Sequence, residues 1–286
     1  MSKQNNRLPG WLKTKIYPGK GYKKVNELLL QTGLHTICIE ARCPNRCECF
    51  SNKEVTFLIG GKTCTRNCKY CNVETETKIP TPLDLNEPDK IAKAVKELQL
   101  KYVVITSVTR DDIDDGCAEH FYKTAKEILN QNPNVKVELL IPDFCGDMHC
   151  VEKICSSGAV VIGHNIEICG RRNFQFLRPG ADYSVSLNIL SEISKNIDKC
   201  KSGFMVGFGE TKKDIKNTLS DLKSVGVNII TVGQYLAPSK DHFPVLKYYK
   251  PKEFKKIEKL ALNMGFEFVK AGPFVRSSYR AGEIFE

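Results

Sequence analysis

The chain holds one tryptophan and four methionines in 286 residues. It has no uninterrupted apolar run near the ~18–20 residues that a membrane span needs. A helical membrane protein is therefore excluded, and no membrane partner is expected. The first twenty residues are polar, basic and broken by proline and glycine. They lack the apolar middle of a secretory signal, so the expected location is cytoplasmic, or an organelle if a presequence has been removed. Acidic residues are in deficit: 43 Lys+Arg against 33 Asp+Glu give a formal net charge of +10. The basic residues are spread along the chain, with no sustained block and no nucleic-acid module, so nucleic acid is not an expected partner. A solvated lysine-rich surface is the plain reading of the charge, and an acidic protein partner is the sharper one. There is no internal repeat and no low-complexity tract.

Cysteine is present in excess, at 13 residues. The share is below the ~8–10% of a disulfide scaffold, and the number is odd. Cys38, Cys43, Cys47, Cys49, Cys64, Cys68 and Cys71 crowd into residues 38–71. Reduced cysteines packed into one segment read as metal ligands. The six from Cys117 onward are scattered, and buried small hydrophobes are the reading for them.

Apolar periodicity predicts a helix over 25–34 and then a strand over 55–59, stopped by Gly60-Gly61. From there the chain alternates. Strands are predicted over 102–106, 135–141, 159–163, 203–208, 227–233 and 266–271. Helices are predicted over 86–100, 117–130, 148–155, 182–194, 212–225 and 251–264. Strand-then-helix units in succession imply an α/β fold with a parallel sheet buried on both faces. Pattern alone does not separate an open doubly wound sheet from a partial (β/α) barrel.

Cys64, Cys68 and Cys71 form C-x3-C-x2-C directly after the first predicted strand, on the side where α/β active sites gather. Three thiolates on one tight loop can hold three corners of a cubane iron–sulfur cluster. They leave its fourth iron open to a ligand that is not protein. Cys38, Cys43 and Cys49 form a second set, C-x4-C-x5-C, with Cys47 inside it. C-x4-C-x3-C is sterically as plausible. The competing reading is a tetrahedral zinc site built from His35, Cys38, Cys43 and Cys47.

The first set, with Tyr70 before its last cysteine, resembles the radical S-adenosylmethionine superfamily. Adding C-x4-C-x5-C and Arg276-Ser277-Ser278-Tyr279, the chain from about Leu8 to Ala281 resembles the lipoyl synthase family. Glu40-Ala41-Arg42-Cys43-Pro44-Asn45, Arg110-Asp111-Asp112, Pro142-Asp143-Phe144, Arg178-Pro179-Gly180 and Gly233-Gln234-Tyr235-Leu236 carry the resemblance further. It implies a partial (β/α)6 barrel of the TIM type over 51–265. Cluster-binding extensions would flank it at 1–50 and 266–286.

The resemblance also implies chemistry. Cys64, Cys68 and Cys71 would hold a catalytic 4Fe–4S cluster, chelated at its open iron by S-adenosylmethionine. One-electron reduction would release a 5′-deoxyadenosyl radical, which takes hydrogen from C6 and C8 of an octanoyl chain on a carrier-protein lysine. Cys38, Cys43, Cys49 and Ser278 would hold an auxiliary 4Fe–4S cluster, the source of both inserted sulfurs. Two S-adenosylmethionine molecules would be used per lipoyl group. Tyr70, Thr106, Asn165, Glu167 and Arg178 are the expected cofactor contacts. The implied partners are octanoylated lipoyl domains of 2-oxoacid dehydrogenases or of the glycine cleavage H protein, and an electron donor such as ferredoxin or flavodoxin. A monomer is expected.

Two positions depart from the family pattern: Cys47, where another residue is expected, and Gly163, where asparagine is usual. Arg110-Asp111-Asp112 with Asp114-Asp115 reads in isolation as a solvated acidic loop. Two other classes compete. A methylthiolating enzyme acting on RNA or protein would have the Cys64 set but no reason for R-S-S-Y. A ferredoxin-like carrier would have closed four-cysteine sites.

Overall fold

The computed structural model describes residues 8–13, 18–75 and 80–285. Helix α1 (Lys20–Thr32) is closed by Gly33, whose φ of 68° only glycine adopts freely and whose N–H bonds Leu29 O. Strand β1 (His35–Thr36) and the short helices α2 (Ile37–Glu40) and α3 (Arg46–Ser51) carry the first cysteines. Strand β2 (Thr56–Ile59) leads to β3 (Thr63–Cys64) and β4 (Glu74–Thr75), a small parallel pair around Cys64, Cys68 and Cys71.

The expected alternation follows. It runs α4 (Glu87–Leu98), β5 (Tyr102–Ser107), α5 (Ala118–Gln131), β6 (Lys136–Leu140), α6 (Met148–Cys155) and β7 (Val161–Gly163). Next come β8 (Glu167–Ile168), α7 (Phe174–Leu177), α8 (Tyr183–Asn196), β9 (Cys200–Val206), α9 (Lys212–Ser224), β10 (Ile229–Gln234), α10 (Pro251–Asn263) and β11 (Phe268–Gly272). Only β8 and α7 have no counterpart in the predicted alternation, because two and four residues are too short to show a period.

The sheet order is β1-β2-β5-β6-β7-β9-β10-β11, with β8 added on β9. Every pair is parallel except β1 on β2. β11 does not return to β2, so the architecture is a partial barrel. One face of the strands packs on the helices: Val103, Ile105, Val137 and Leu139 meet Val95, Phe121, Ile154 and Ile189 in one apolar core, all fully buried. Each such side chain contributes about 1.5–3 kcal/mol. Among the described residues no helix is long and apolar enough to cross a membrane.

Of the later cysteines, Cys117, Cys150, Cys169 and Cys200 are buried as expected, Cys155 is half-buried and Cys145 is exposed. Cys145 departs from expectation because Phe144 and Cys145 turn through positive φ (45° and 52°), which swings the thiol outward. The strands also carry charge inside the barrel. Glu138 and Lys201 pair at 2.7 Å with 1% and 2% of their side chains exposed, and Tyr102 donates to the same carboxylate at 2.5 Å.

His164 follows β7 and is buried, with Nδ1 against Ile141 O at 2.9 Å and Nε2 against Ser186 Oγ at 3.1 Å. Burial, with Arg178 nearby, pulls its pKa down to about 4, so it is neutral at pH 7. In the unfolded chain an ordinary histidine takes up its proton near pH 6.5. Between those values the unfolded state binds more protons, so stability falls as pH falls, by about 3 kcal/mol once below pH 4. Urea unfolding at pH 7 and pH 5 is expected to show a smaller acid loss for His164→Gln than for the native chain.

Candidate functional site

The C-x3-C-x2-C loop is pinned at several points. Gly60 N–H donates to Glu87 Oε2 at 3.1 Å, and Gly60 O accepts from Arg110 Nη1 at 2.8 Å. Glu87 is itself held by His120 Nε2 at 2.7 Å. Further on, Thr65 N–H bonds Thr109 O, Lys69 N–H bonds Leu177 O and Cys71 N–H bonds Cys68 O, each at 3.0 Å. His242 Nε2 meets Cys71 O at 2.9 Å. The three thiols are half-buried. Burial pushes Cys68 up and Cys71 up to about 12. Ligation must displace those protons, so metal binding here is favoured by rising pH.

Arg66, inside the motif, locks the loop to the ends of two strands. Its Nε and Nη2 reach Asp111 at 2.8 and 2.9 Å, and its Nη1 and Nη2 reach Asp143 at 2.5 and 2.7 Å. Only 8% of the arginine side chain and 3% of Asp143 are exposed. Burial alone would raise the Asp143 carboxyl, but Arg66 outweighs it and holds the group below its usual range. Arg110 and Asp112 form a second bidentate pair at 2.8 Å. Asp111 and Asp112 are therefore structural partners of arginine, which corrects the reading of a merely solvated acidic loop. Arg66→Met leaves two carboxylates facing a lost charge. It is expected to cost about 3–5 kcal/mol in chemical denaturation and to lower the iron held after reconstitution.

A cavity of about 420 Å³ opens beside this loop, and its lining includes Tyr70, Cys71, Asn165, Glu167 and Gly203 as well as Cys38, Cys43 and Ser278. Asn165 donates to Glu167 Oε1 at 2.9 Å and accepts from Ser277 Oγ at 3.1 Å. Glu167 sits at φ 61°, an unfavoured conformation of the kind that collects at functional sites. Burial pushes its carboxyl up, with Arg178 opposing. Arg178 donates to Asn165 O and Ile166 O at 3.2 and 3.1 Å. Its Nε is buried without a hydrogen-bond partner among the described residues. A Cβ on Gly203 would stand 2.4 Å from Thr231 Oγ1, so this strand surface has to stay bare. Thr106 and Arg178 do not line the cavity itself, and the Thr106 hydroxyl is bonded to Leu140 O at 2.9 Å.

A second cavity, of about 490 Å³, is lined by Cys38, Cys43, Cys49 and Ser278 together with Arg276. Neither Cys47 nor His35 lines it. His35 faces Glu40 at 3.8 Å instead. Desolvation raises the Cys38 thiol, and raises that of Cys49 far above an ordinary one. Among the described residues no three His, Cys, Asp or Glu side chains converge on a point that a single ion would occupy.

Ser278 reaches this cavity because the chain ends are tied together. Asn45 Nδ2 donates to Phe274 O at 2.6 Å, and Tyr279 and Arg280 donate to Glu48 at 2.9 and 2.8 Å. Gly233 permits the crossing, since a Cβ there would lie 2.2 Å from Val275 O. Arg276 was legible only as one letter of R-S-S-Y. In the structure it lines both cavities and donates to Val275 O at 2.7 Å.

The Radical SAM superfamily matches residues 58–222, and the N-terminal domain of lipoyl synthase matches residues 1–43. The chain is 48% identical to a lipoyl synthase of Caldicellulosiruptor saccharolyticus over 97% of both chains. It is 45% identical to a mitochondrial lipoyl synthase of Drosophila ananassae, over 99% of this chain and 77% of that one. This chain belongs to the lipoyl synthase family. Crystalline methylornithine synthase resembles it with a TM-score of 0.57 at 14% identity, covering 89% of this chain and 82% of the other, a likeness of fold. As a radical S-adenosylmethionine member of the lipoyl synthase family the chain is an enzyme, and a 4Fe–4S cluster and S-adenosylmethionine are its cofactors.

Proposed function

We propose that the enzyme inserts two sulfur atoms, at C6 and C8 of an octanoyl group on a carrier-protein lysine, and that an auxiliary 4Fe–4S cluster donates them. The observation that carries this reading is the shared cavity, lined by Tyr70 and Cys71 and also by Cys38, Cys43 and Ser278. No side chain removes a proton from an alkane at ordinary pH, so acid–base catalysis cannot open these positions. When bound, the cluster and S-adenosylmethionine supply a one-electron route to a carbon radical.

The chain's own residues do the rest. Cys64, Cys68 and Cys71 hold the reducible cluster on a loop fixed by Arg66 and Arg110. Asn165, Glu167 and Tyr70 shape the cofactor's side of the cavity, and Arg178 holds the backbone there. Cys38, Cys43, Cys49 and Ser278 hold the sulfur source. A serine oxygen is a poorer match to iron than a thiolate, which suits a cluster that must be taken apart. Two C–H bonds require two S-adenosylmethionine molecules. The excess of ten positive charges favours acidic partners, and we assign to that role the lipoyl domains of 2-oxoacid dehydrogenases or the glycine cleavage H protein. The electron comes from a ferredoxin or a flavodoxin.

The test is anaerobic turnover of the reconstituted protein with reductant, S-adenosylmethionine and an octanoyl-lysine peptide, read by mass spectrometry. Two hydrogens replaced by two sulfurs, with 5′-deoxyadenosine formed, is the expected product. Formation of 5′-deoxyadenosine with the octanoyl chain untouched would overturn the substrate.

A further inference from the structure

We propose that Arg276 is the counter-charge of the auxiliary cluster, a fixed cation that raises the cluster's reduction potential and slows the loss of its iron. The proposal rests on the reading that Cys38, Cys43, Cys49 and Ser278 hold that cluster. The donor set fits such a group, since three thiols and a hydroxyl line one cavity of about 490 Å³. Once ionised, these ligands outweigh the positive charge of an iron–sulfur core and leave a net negative site. A charge withdrawn from water is costly without an opposite charge beside it.

Arg276 is placed to supply that charge. It stands two residues before Ser278 in the chain and lines the same cavity. Lys53, Lys101 and Arg280 line that cavity too, but among these cations only Arg276 also lines the cofactor cavity. The acidic groups whose charge acts on it are Cys43, of the auxiliary set, and Glu167, of the cofactor cavity. Glu167 already accepts from Asn165 at 2.9 Å. Nearby cations are paired: Arg280 reaches Glu48 at 2.8 Å, and Lys270 reaches Glu283 at 2.5 Å. Arg276 has no such carboxylate among the described residues. The one bond it donates there is to Val275 O at 2.7 Å. A guanidinium carries several N–H donors, so most of its capacity is left for a bound anion.

The backbone around it fixes the position. Ser277 Oγ donates to Asn165 Oδ1 at 3.1 Å and the Tyr279 hydroxyl donates to Glu48 at 2.9 Å, which ties the segment on both sides of Ser278. A Cβ on Gly233 would stand 3.1 Å from Arg276 Nη1, so the bare glycine makes room for the guanidinium. Arginine keeps its proton at any working pH, so the charge is constant. A constant cation favours the more negative, reduced state of a cluster, and that sets the sign of the effect on its potential. Arg276 is thus a positioning residue for the sulfur source, acting on how firmly the cluster is held and how readily it is reduced.

The test uses the full chain with Cys64, Cys68 and Cys71 changed to alanine, which leaves the auxiliary set as the cluster site. Into this parent are placed Arg276→Gln and Arg276→Lys. Each protein is reconstituted with iron and sulfide, titrated potentiometrically with detection by electron paramagnetic resonance, and challenged with an iron chelator. Arg276→Gln is expected to have a lower midpoint potential and to release iron about tenfold faster or more. Arg276→Lys, which keeps the charge, is expected to return the potential most of the way to the parent's. A potential unmoved in Arg276→Gln, or as low in Arg276→Lys as in Arg276→Gln, would overturn the proposal. So would weakened S-adenosylmethionine binding by Arg276→Gln in the otherwise native chain with the auxiliary potential unmoved, since the cation would then serve the cofactor. A parent that takes up no cluster would instead overturn the ligand assignment beneath it.

Discussion

Cys68→Ala is expected to abolish 5′-deoxyadenosine formation and lipoyl product together, to below about one hundredth of the native rate. The magnitude follows from the hierarchy of metal sites, where losing a partner behind a ligand already costs about 10–100-fold. Cys68 sits between two anchored points of its loop, with Thr65 N–H held by Thr109 O before it and Lys69 N–H by Leu177 O after it. The backbone therefore has little freedom to bring another donor to the vacated corner. Cys64→Ala and Cys71→Ala are expected to behave alike, and measuring iron alongside activity shows whether the cluster or only its reactivity has gone.

Cys49→Ala and Cys47→Ala are expected to part company. Cys49, with Cys38, Cys43 and Ser278, faces the second cavity, and Cys47 does not. Removing Cys49 should therefore abolish sulfur insertion while cleavage of S-adenosylmethionine persists within a few-fold. Removing Cys47 should leave both intact. The comparison is sharp because the two residues lie on the same short helix, Arg46–Ser51. Damage to that helix would strike both variants, whereas loss of a ligand strikes one. Product and 5′-deoxyadenosine are read from the same reaction by mass spectrometry.

Much of this architecture was open to reading in the sequence, for a physical reason. Buried parallel strands are short apolar runs and their helices are amphipathic, so Tyr102–Ser107 and Glu87–Leu98 announce themselves. The cysteine spacings were equally plain. The register of the Cys38, Cys43 and Cys49 set was not, because spacing treats Cys47 and Cys49 alike. What separates them is which side of a six-residue helix faces a cavity, and that depends on packing. The Arg66–Asp143 bond joins residues 77 positions apart, and no local pattern signals such a pair. Glu138 and Lys201 interrupt two otherwise apolar strands and meet only because the third strand between them brings both into the barrel. Closure of the second cavity by Ser278 needs contacts between the two ends of the chain, such as Asn45 with Phe274.

The account rests on Cys38, Cys43, Cys49 and Ser278 holding the sulfur that ends in the product. The most direct test loads the protein with sulfide of a heavy isotope, removes the excess, and runs a single turnover with ordinary sulfide in solution. Two heavy sulfurs in each lipoyl peptide, matched by loss of labile sulfide from the protein, are predicted. Ordinary sulfur in the product, with the protein's heavy sulfide retained, would contradict the account.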